Sequence, residues 1–274
     1  MTLNYFEENI VQNIHQQQWA FIDCAIDGHV LQITLNRPAK KNALHPQMVN
    51  EIAFALSHAH FNNEIRVILF KANGDVFCSG ADLKAFMGIS EDFKSSIPSP
   101  SNSILLGEIF NQVHKPIICQ LHGNIMAGGL FFIAGSHFTV AAKGVKLGLP
   151  EVKRGLFPFQ VLSALLDNIS KQNAINWCIT GDEITTDTAK EWGLITSVVE
   201  NEELEKTTEE LINKLTINSP NAIRMGLQAF EKITKNEGEH QYLMEMLQKT
   251  IMSADAQEGI KAFKEKRTPV WTGK

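Results

Sequence analysis

The sequence lacks the marks of several large protein classes. Its four cysteines are far apart and form no CxxC pair, so neither a disulfide framework nor a zinc site is indicated. It has no run of about 18 apolar residues, so we expect no membrane span. The first residues include Glu7 and Glu8 and no basic region followed by an apolar one, which argues against a secretion signal. We therefore expect a cytoplasmic protein with reduced thiols and no metal site.

Excess basic charge is also missing. The 274 residues include 25 basic and 30 acidic side chains, a formal net charge of −5. This balance offers no basic field to a nucleic-acid backbone or a membrane surface, so we expect neither as a partner. Any recognition of phosphate should then be local. The 44% of hydrophobic residues are enough to form a full core.

What the sequence does contain is an alternation of strand and helix patterns. Apolar and β-branched residues on both sides of Asp27-Gly28 predict a hairpin from Phe21 to Asn36. The remaining patterns predict a helix over Pro46 to Asn62, a strand over Ile65 to Lys71, a helix over Ile104 to Gln112, a strand over Ile117 to Leu121, a helix from Leu130 and a strand over His137 to Ala142. This order predicts an α/β fold.

Two other stretches differ in pattern. Gly88 to Ser103 is rich in Ser and Pro and predicts a mobile loop or a short irregular helix that could cover a site. From Gln172 onward the chain reads as mainly helical, with Asp182 or Thr185 as possible caps and Gly193 as a stop. We expect residues 1–199 to form an α/β core and residues 200–274 to form a helical region of the same unit.

Two glycine-rich turns follow predicted buried strands. One is NGDVFCSGADLKAF, from Asn73 to Phe86, and the other is HGNIMAGG, from His122 to Gly129. Glycine lets a ligand approach the backbone closely, and two turns that each aim an N–H at one point can stabilise the developing negative oxygen of a thioester enolate. Either turn alone would be read as ordinary turn formation. The pair points to an enzyme that acts on an activated carbonyl.

Glu151 is the carboxylate best placed for chemistry, although it could instead be an ion-pair partner of Lys153 or Arg154. Asp82 has the position of a helix cap. Cys78 reads as a packed thiol, and His122 as a hydrogen-bonded residue near the turn. His58 and His60 fall on different faces of one helix, so a shared metal ion is not expected.

Several blocks together resemble the enoyl-CoA hydratase/isomerase, or crotonase, family over roughly Ala20 to Trp271. They are LNRPAKKNAL (Leu35 to Leu44), FCSGADLKAF (Phe77 to Phe86), HGNIMAGG (His122 to Gly129), LGLPEVKRGLFP (Leu147 to Pro158), ITGDEITTDTAKEWGLITSVV and EGIKAFKEKRTPVW. The blocks occur in the family's order. The resemblance implies a core of repeated ββα turns and a helical C-terminal region that forms trimers, commonly paired as a dimer of trimers.

The resemblance also implies roles for individual residues. The amides of Ala81 and Gly128 would be the oxyanion-hole donors, and Glu151 would be the catalytic carboxylate. Residues of three segments would contact coenzyme A, with the last segment often acting across a subunit boundary; they are Lys40, Lys41 and Ala43, then Ala81, Asp82, Leu83 and Lys84, and finally Phe263 and Lys266. The implied ligand is an acyl-CoA thioester, with no separate cofactor because coenzyme A is part of the substrate.

One position departs from the family pattern. Related hydratases carry a second glutamate three residues after the donor glycine, where this chain has Phe131. We expect an enoyl-CoA hydratase that adds water to a 2-enoyl-CoA. The alternatives are an enoyl-CoA isomerase that uses a single glutamate, or a member that binds acyl-CoA without hydratase activity. A different enolate reaction, such as thioester hydrolysis or decarboxylation, would need further polar groups.

Overall fold

A computed structural model describes residues 5–86, 88–89, 92–100, 102, 104, 106–154, 156–235 and 252–274. The strands are β1 (Ile22–Asp27), β2 (Val30–Leu35), β3 (Val67–Ala72), β4 (Val76–Cys78), β5 (Ile117–Leu121), β6 (Asn124–Met126), β7 (Phe138–Ala142), β8 (Lys146–Gly148), β9 (Glu183–Thr185) and β10 (Ser197–Val199). The helices are α1 (Glu8–Val11), α2 (Pro46–Phe61), α3 (Leu83–Phe86), α4 (Leu106–Gln112), α5 (Phe131–Ala134), α6 (Phe159–Leu166), α7 (Lys171–Thr180), α8 (Thr186–Glu191), α9 (Leu204–Thr216), α10 (Pro220–Lys235) and α11 (Ala254–Glu265). Short 3-10 helices cover Ile14–Gln16, Pro38–Lys40, Ala127–Leu130, Pro150–Arg154 and Asn201–Glu203.

The strands form two sheets. A six-stranded sheet has the order β1-β2-β3-β5-β7-β10, and a four-stranded sheet has the order β4-β6-β8-β9. The hairpin β1–β2 and the pair β8–β9 are antiparallel, and every other pairing is parallel. The predicted hairpin is confirmed, and Gly28 supplies the positive φ of 53° that its two-residue turn requires.

Consecutive strands divide between the two sheets in a repeated manner. β3, β5 and β7 lie in the large sheet, and the strand that follows each of them, β4, β6 and β8, lies in the small one. Helical turns follow β4, β6 and β8 directly. This is the repeated ββα arrangement that the resemblance implied, and it places the ends of β4, β6 and β8 side by side.

The large sheet is covered on both faces. Successive side chains of β3 point to opposite faces, as the two-residue period of a strand requires. Val67 and Leu69 pack with α9 residues, whereas Ile68 and Phe70 belong to the main core that includes α2. Helix α2 begins at Pro46, which suits a first helical turn, so the predicted helix is confirmed.

The described part of the Gly88 to Ser103 stretch, residues 92–100, is an irregular loop, which is the first of the two predicted alternatives. It makes hydrogen bonds to α2 and to the segment before β1. Ser95 Oγ donates to Oε1 of the buried Glu51 over 2.7 Å, and Ser96 N donates to Gln18 O over 2.9 Å. Asn50 Nδ2 donates to Pro98 O over 3.0 Å. Polar side chains of α2 therefore fix a stretch whose composition resembles that of a loose loop.

The last helices pack on one another and on the chain's final residues. The buried Asp255 accepts hydrogen bonds from the Thr272 and Gly273 amides, and Trp271 Nε1 donates to Ile217 O over 2.6 Å. Thr185 caps α8 and Gly193 follows it with a φ of 94°, as predicted. None of the helices in the described ranges combines the length and the apolar character needed to cross a membrane.

Candidate active site

Three turns meet at one edge of the small sheet. β4, β6 and β8 are neighbouring parallel strands, so their carboxyl ends lie at the same edge. Ala81, Gly128 and Glu151 each follow one of these strands within three residues of its end. The fold therefore brings together the three residues that the sequence had indicated for oxyanion binding and acid–base chemistry.

The turns that carry Ala81 and Gly128 are in close contact. Gly80 has a φ of 93°, and a Cβ placed on it would lie 2.7 Å from Ala127 Cβ and 3.4 Å from Gly128 N. A Cβ on Gly128 would lie 3.7 Å from Ala81 N. Glycine is needed at position 80 both for its backbone conformation and for this approach. The missing Cβ of Gly80 allows the two turns to approach this closely, whereas a Cβ on Gly128 would make only ordinary van der Waals contacts.

Pairing with Leu44 orients the Ala81 amide. Leu44 N donates to Gly80 O over 2.8 Å, and Asp82 N donates to Leu44 O over 3.0 Å. In a parallel bridge these two bonds flank the middle residue, whose own N–H points to the other side. Within the described residues the Ala81 N–H makes no hydrogen bond, and Ala81 itself is exposed. The turn thus presents a fixed, accessible donor.

Ala127 adds a local sign of strain. It is a non-glycine residue with a φ of 52°, directly before Gly128. Such conformations are disfavoured for residues with a Cβ and occur often at ligand-binding turns, where surrounding structure holds them in place. Here the 3-10 helix Ala127–Leu130 and the contact with Gly80 hold the turn.

Glu151 is the second residue of the 3-10 helix that follows β8, and its Oε2 is buried. Lys153 pairs with Asp182 over 3.2 Å, while the side chain of Arg154, the other partner considered, lies outside the described residues. Cys178 of α7 is close enough for the Glu151 charge to act on it: burial first, and then Glu151, raise the pKa of its thiol. The carboxylate of Glu151 therefore lies at the boundary between the turn and the protein interior.

Phe131 forms an apolar wall where a second carboxylate was considered. It is the first residue of α5 and is 7% exposed. A Cβ added to Gly107 of α4 would lie 2.8 Å from Phe131 Cε1, so the ring packs directly on that helix. Phe132 belongs to the fully buried core, whereas Phe159 is 74% exposed.

The sequence did not reveal one ion pair beside the Ala81 turn. Arg37 Nη1 lies 2.8 Å from Asp82 Oδ2, and Ala85 N donates to Asp82 Oδ1 over 3.2 Å, which confirms the predicted cap. Burial opposes the charged carboxylate of Asp82, but the hydrogen bonds from Ala85 and Arg37 outweigh it and hold its pKa below the usual value. Because the two partners are far apart in the sequence, no local pattern indicates the pair.

The residues expected to contact coenzyme A fall into two groups. Lys40 and Lys41 are exposed at the end of the 3-10 helix Pro38–Lys40, Lys84 is exposed in α3, and Ser79 N donates to Lys41 O over 3.0 Å. The side chains of Leu83 and Phe263 lie outside the described residues. Lys266 is exposed and directly follows α11, a helix that contacts α10. The described intrachain contacts therefore give no placement of Lys266 beside Ala81.

The remaining candidates have structural surroundings. Burial raises the pKa of the Cys78 thiol to about 12, so it is a packed thiol. His122 Nε2 donates to Gly74 O and a ring nitrogen of His58 donates to Val11 O, each over 2.7 Å. Among the residues that the structure describes, no group of three His, Cys, Asp or Glu side chains could hold a metal ion.

Known proteins resemble this chain over most of its length. The model of the enoyl-CoA hydratase/isomerase family matches residues 25–274. An enoyl-CoA hydratase of Mycobacterium tuberculosis is 32% identical over 250 residues, which cover 88% of this chain and 92% of that protein. The 1,2-epoxyphenylacetyl-CoA isomerase of Escherichia coli is 27% identical over 93% of this chain and 99% of its own length.

Solved structures show the same fold. The crystal structure of an enoyl-CoA hydratase from Bacillus anthracis has a TM-score of 0.81 and 29% identity, and the alignment covers 94% of this chain and all of that one (100%). The chain belongs to the enoyl-CoA hydratase/isomerase family and has its crotonase-like α/β fold.

Proposed function

We propose that this protein is an acyl-CoA enzyme that stabilises a thioester enolate between the Ala81 and Gly128 amides. The observation that carries the proposal is the convergence of the three turns at the carboxyl ends of β4, β6 and β8. Two backbone donors without competing side chains suit the thioester oxygen, which gains negative charge as the enolate forms. Glu151 would supply the proton transfer.

Exposed lysines beside the turns support coenzyme A as the part of the substrate that the protein binds. Lys40, Lys41 and Lys84 adjoin the Ala81 segment and could meet phosphate groups, and Ala43 would line the same channel. In the proposal, the segment Ala81 to Lys84 lines the channel that holds the adenine and the pantetheine arm. Phe263 and Lys266 would contact coenzyme A from a neighbouring subunit.

Hydration of a 2-enoyl-CoA is the reaction proposed first, supported by the names of relatives such as the Mycobacterium tuberculosis hydratase. One carboxylate can perform it. Glu151 would accept a proton from water as the water oxygen bonds to the β-carbon, and the electron pair of the double bond would move to the thioester oxygen as enolate. Protonated Glu151 would then return the proton to the α-carbon.

Double-bond migration is the second candidate, and Phe131 favours it. Its ring occupies the position of the second glutamate and packs on Gly107, so that wall is apolar. In this reaction Glu151 would remove a proton from the α-carbon of a 3-enoyl-CoA and return it to the γ-carbon of the enolate, which gives a 2-enoyl-CoA. This reaction neither consumes nor releases water.

The test is to offer 2-enoyl-CoA and 3-enoyl-CoA esters to the purified protein and to follow the product mass and the position of its double bond. Addition of water to the 2-enoyl ester identifies hydration, and migration without a mass change identifies isomerisation. For either reaction, Glu151→Gln should lower kcat by on the order of 10²- to 10⁴-fold, with the affinity for coenzyme A nearly unchanged.

Asp182→Asn is the matched control, because it removes another carboxylate that contacts the same 3-10 helix through Lys153. It should retain wild-type turnover. Full activity of Glu151→Gln would reject the role of Glu151. If the wild-type protein binds acyl-CoA tightly and turns over none of these esters, the proposed enzyme is instead an acyl-CoA-binding member of the family.

The proposal extends to the oligomeric state of the protein and to the cellular compartment in which it acts. We infer a homotrimer, or a dimer of trimers, formed through the C-terminal helices and active in the cytoplasm. Large exposed apolar side chains in this region, such as Phe230 at 66% and Ile217 at 67%, support burial against other subunits. Sedimentation of the purified protein at several concentrations would give the number of subunits.

A further inference from the structure

The buried guanidinium of Arg37 lies next to the Ala81 turn, where it pairs with Asp82. The side chain of Arg37 is 5% exposed and that of its partner Asp82 is 16% exposed. The same Nη1 that lies 2.8 Å from Asp82 Oδ2 also donates to Ala43 O over 3.1 Å. The Arg37 guanidinium thus joins the turn of Ala43 to the residue that follows Ala81.

Asn42 fixes the base of this connection. Its side chain is fully buried, and its Oδ1 accepts a hydrogen bond from Arg37 N over 2.8 Å. Its Nδ2 donates to Asn73 O over 2.8 Å and to Val76 O over 2.9 Å. Arg37 therefore projects from a segment that is tied to the connection between β3 and β4, on the rigid part of the fold.

The flat face of the Arg37 guanidinium packs on the ring of Phe21. Arg37 Cζ lies 5.0 Å from the centre of the Phe21 ring, in the geometry of a cation–π contact. Desolvation makes a buried ion pair a weak source of stability, so its retention calls for another reason. The location of this pair offers one, because Asp82 N also makes the bond to Leu44 that orients the Ala81 amide.

We propose that Arg37 is the positioning residue of the oxyanion site, which it serves by clamping Asp82 and Ala43 so that the Ala81 N–H stays aimed at the thioester oxygen. This inference rests on the proposed function and deepens it. Arg37 touches no reacting atom in this scheme. Its removal should weaken polarisation of the substrate carbonyl more than it weakens binding of coenzyme A.

The experiment measures polarisation directly. A non-reactive saturated acyl-CoA with a 13C-labelled thioester carbonyl is bound to the wild-type protein, and the carbonyl stretching frequency is recorded by difference infrared spectroscopy. Two donors should lower this frequency relative to the free ester. In Arg37→Met the band should return toward its free position and kcat should fall by on the order of 10- to 100-fold. The Kd for coenzyme A should stay within about twofold, as expected for a loss of orientation only.

Two milder variants cover the chance that Arg37→Met does not fold. Arg37→Lys keeps the positive charge but lacks the planar guanidinium that packs on Phe21 and holds Nη1 between Asp82 Oδ2 and Ala43 O. Asp82→Asn keeps an acceptor for Ala85 N but removes the ion pair. Both should give intermediate band positions. Lys143→Met is the control, because it breaks an ion pair of the same 2.8 Å length whose two side chains are each 63% exposed.

The outcomes are separable. A lowered band in the wild type that stays equally low in the folded Arg37 and Asp82 variants overturns the positioning role and leaves the proposed function intact. A wild-type band that is not lowered at all overturns the oxyanion site itself, together with this inference. Band shifts that parallel the loss of kcat, with no shift in Lys143→Met, support it.

Discussion

The two sheets of this protein differ in strand length, in burial and in backbone geometry. The large sheet contains strands of up to six residues, and its inner strands β2, β3, β5 and β7 are mostly buried, with packing on α2 and α9. The small sheet consists of three-residue strands, and the turns after β4 and β6 contain glycines in close backbone contact and a strained Ala127. The first supplies rigidity, and the second presents backbone donors.

This difference indicates which substitutions should lower the free energy of unfolding and which should lower kcat. A change in the large sheet removes buried apolar contacts and leaves the three turns in place. A change at a turn of the small sheet moves a donor while most of the core remains packed. The following substitutions test that separation, beginning with the largest expected effect.

Phe70→Ala should reduce the free energy of unfolding by about 3–5 kcal/mol, because it leaves a cavity in the core. Phe70 is fully buried in β3 and its ring packs against Phe110 and Phe132. Urea denaturation measures the loss. Turnover per folded molecule should stay close to wild type at low temperature. A parallel collapse of kcat in the folded fraction would show that the two sheets are not separable in this way.

Gly80→Ala should lower kcat by on the order of 10²-fold, the usual effect of losing one oxyanion donor. The new methyl would approach Ala127 Cβ to 2.7 Å and would force the turn to move. Gly144→Ala is the matched control, since Gly144 has a similar φ of 86° but nothing within 4 Å of the added Cβ. It should cost stability through backbone strain alone. Equal kinetic losses in both variants would contradict the assigned geometry.

His60→Gln should reduce the loss of free energy of unfolding that accompanies a fall in pH below about 6.5. Burial, and then the charges of His114 and Lys115, lower the pKa of His60 from 6.5 to about 4. The folded state keeps the ring neutral while the unfolded chain protonates it below about pH 6.5, so this group costs stability as the pH falls from 6.5 toward 4 and has no effect above that range.

Between pH 7 and pH 5 the variant should lose about 2 kcal/mol less free energy of unfolding than the wild type does. The measurement is urea denaturation at the two pH values. His15→Gln, which changes an exposed histidine, should follow the wild-type curve. Identical pH dependence in the wild type and His60→Gln would reject His60 as the source.

Lys143→Met should leave the free energy of unfolding nearly unchanged, since exposed ion pairs contribute little. Its partner Glu200 is as exposed as Lys143, at 63% each. A thermal unfolding curve that overlays that of the wild type is the expected result. A large loss would mean that this edge of the large sheet is more tightly coupled to the core than its exposure indicates.

The large sheet was largely predictable from the sequence. The apolar runs of β3 and β5, the Asp27-Gly28 hairpin and the Pro46 start of α2 are local patterns, and each lies within a few residues of its predicted place. β4, β6, β8 and β9 have three residues each, too few to show the two-residue period. The second sheet therefore could not be recognised from pattern.

Prediction of the site depended on the same division. Ala81, Gly128 and Glu151 could be proposed as site residues because their turns carry recognisable glycines and family motifs. The Arg37–Asp82 pair and the anchoring of residues 92–100 by Glu51 were not found, because each joins segments that approach only after folding. Local chemistry marks a turn, whereas long-range polar contacts leave no periodic signal.

The contact between Phe131 and Gly107 also limits how the site can be redesigned. With phenylalanine at 131, a side chain at 107 would meet its ring at 2.8 Å, so the ring would have to move. A glutamate at 131 would remove the ring that packs on Gly107 and place a charge beside α4. Construction of a two-glutamate site would thus call for a compensating change at 107, in a helix that contributes none of the proposed catalytic groups.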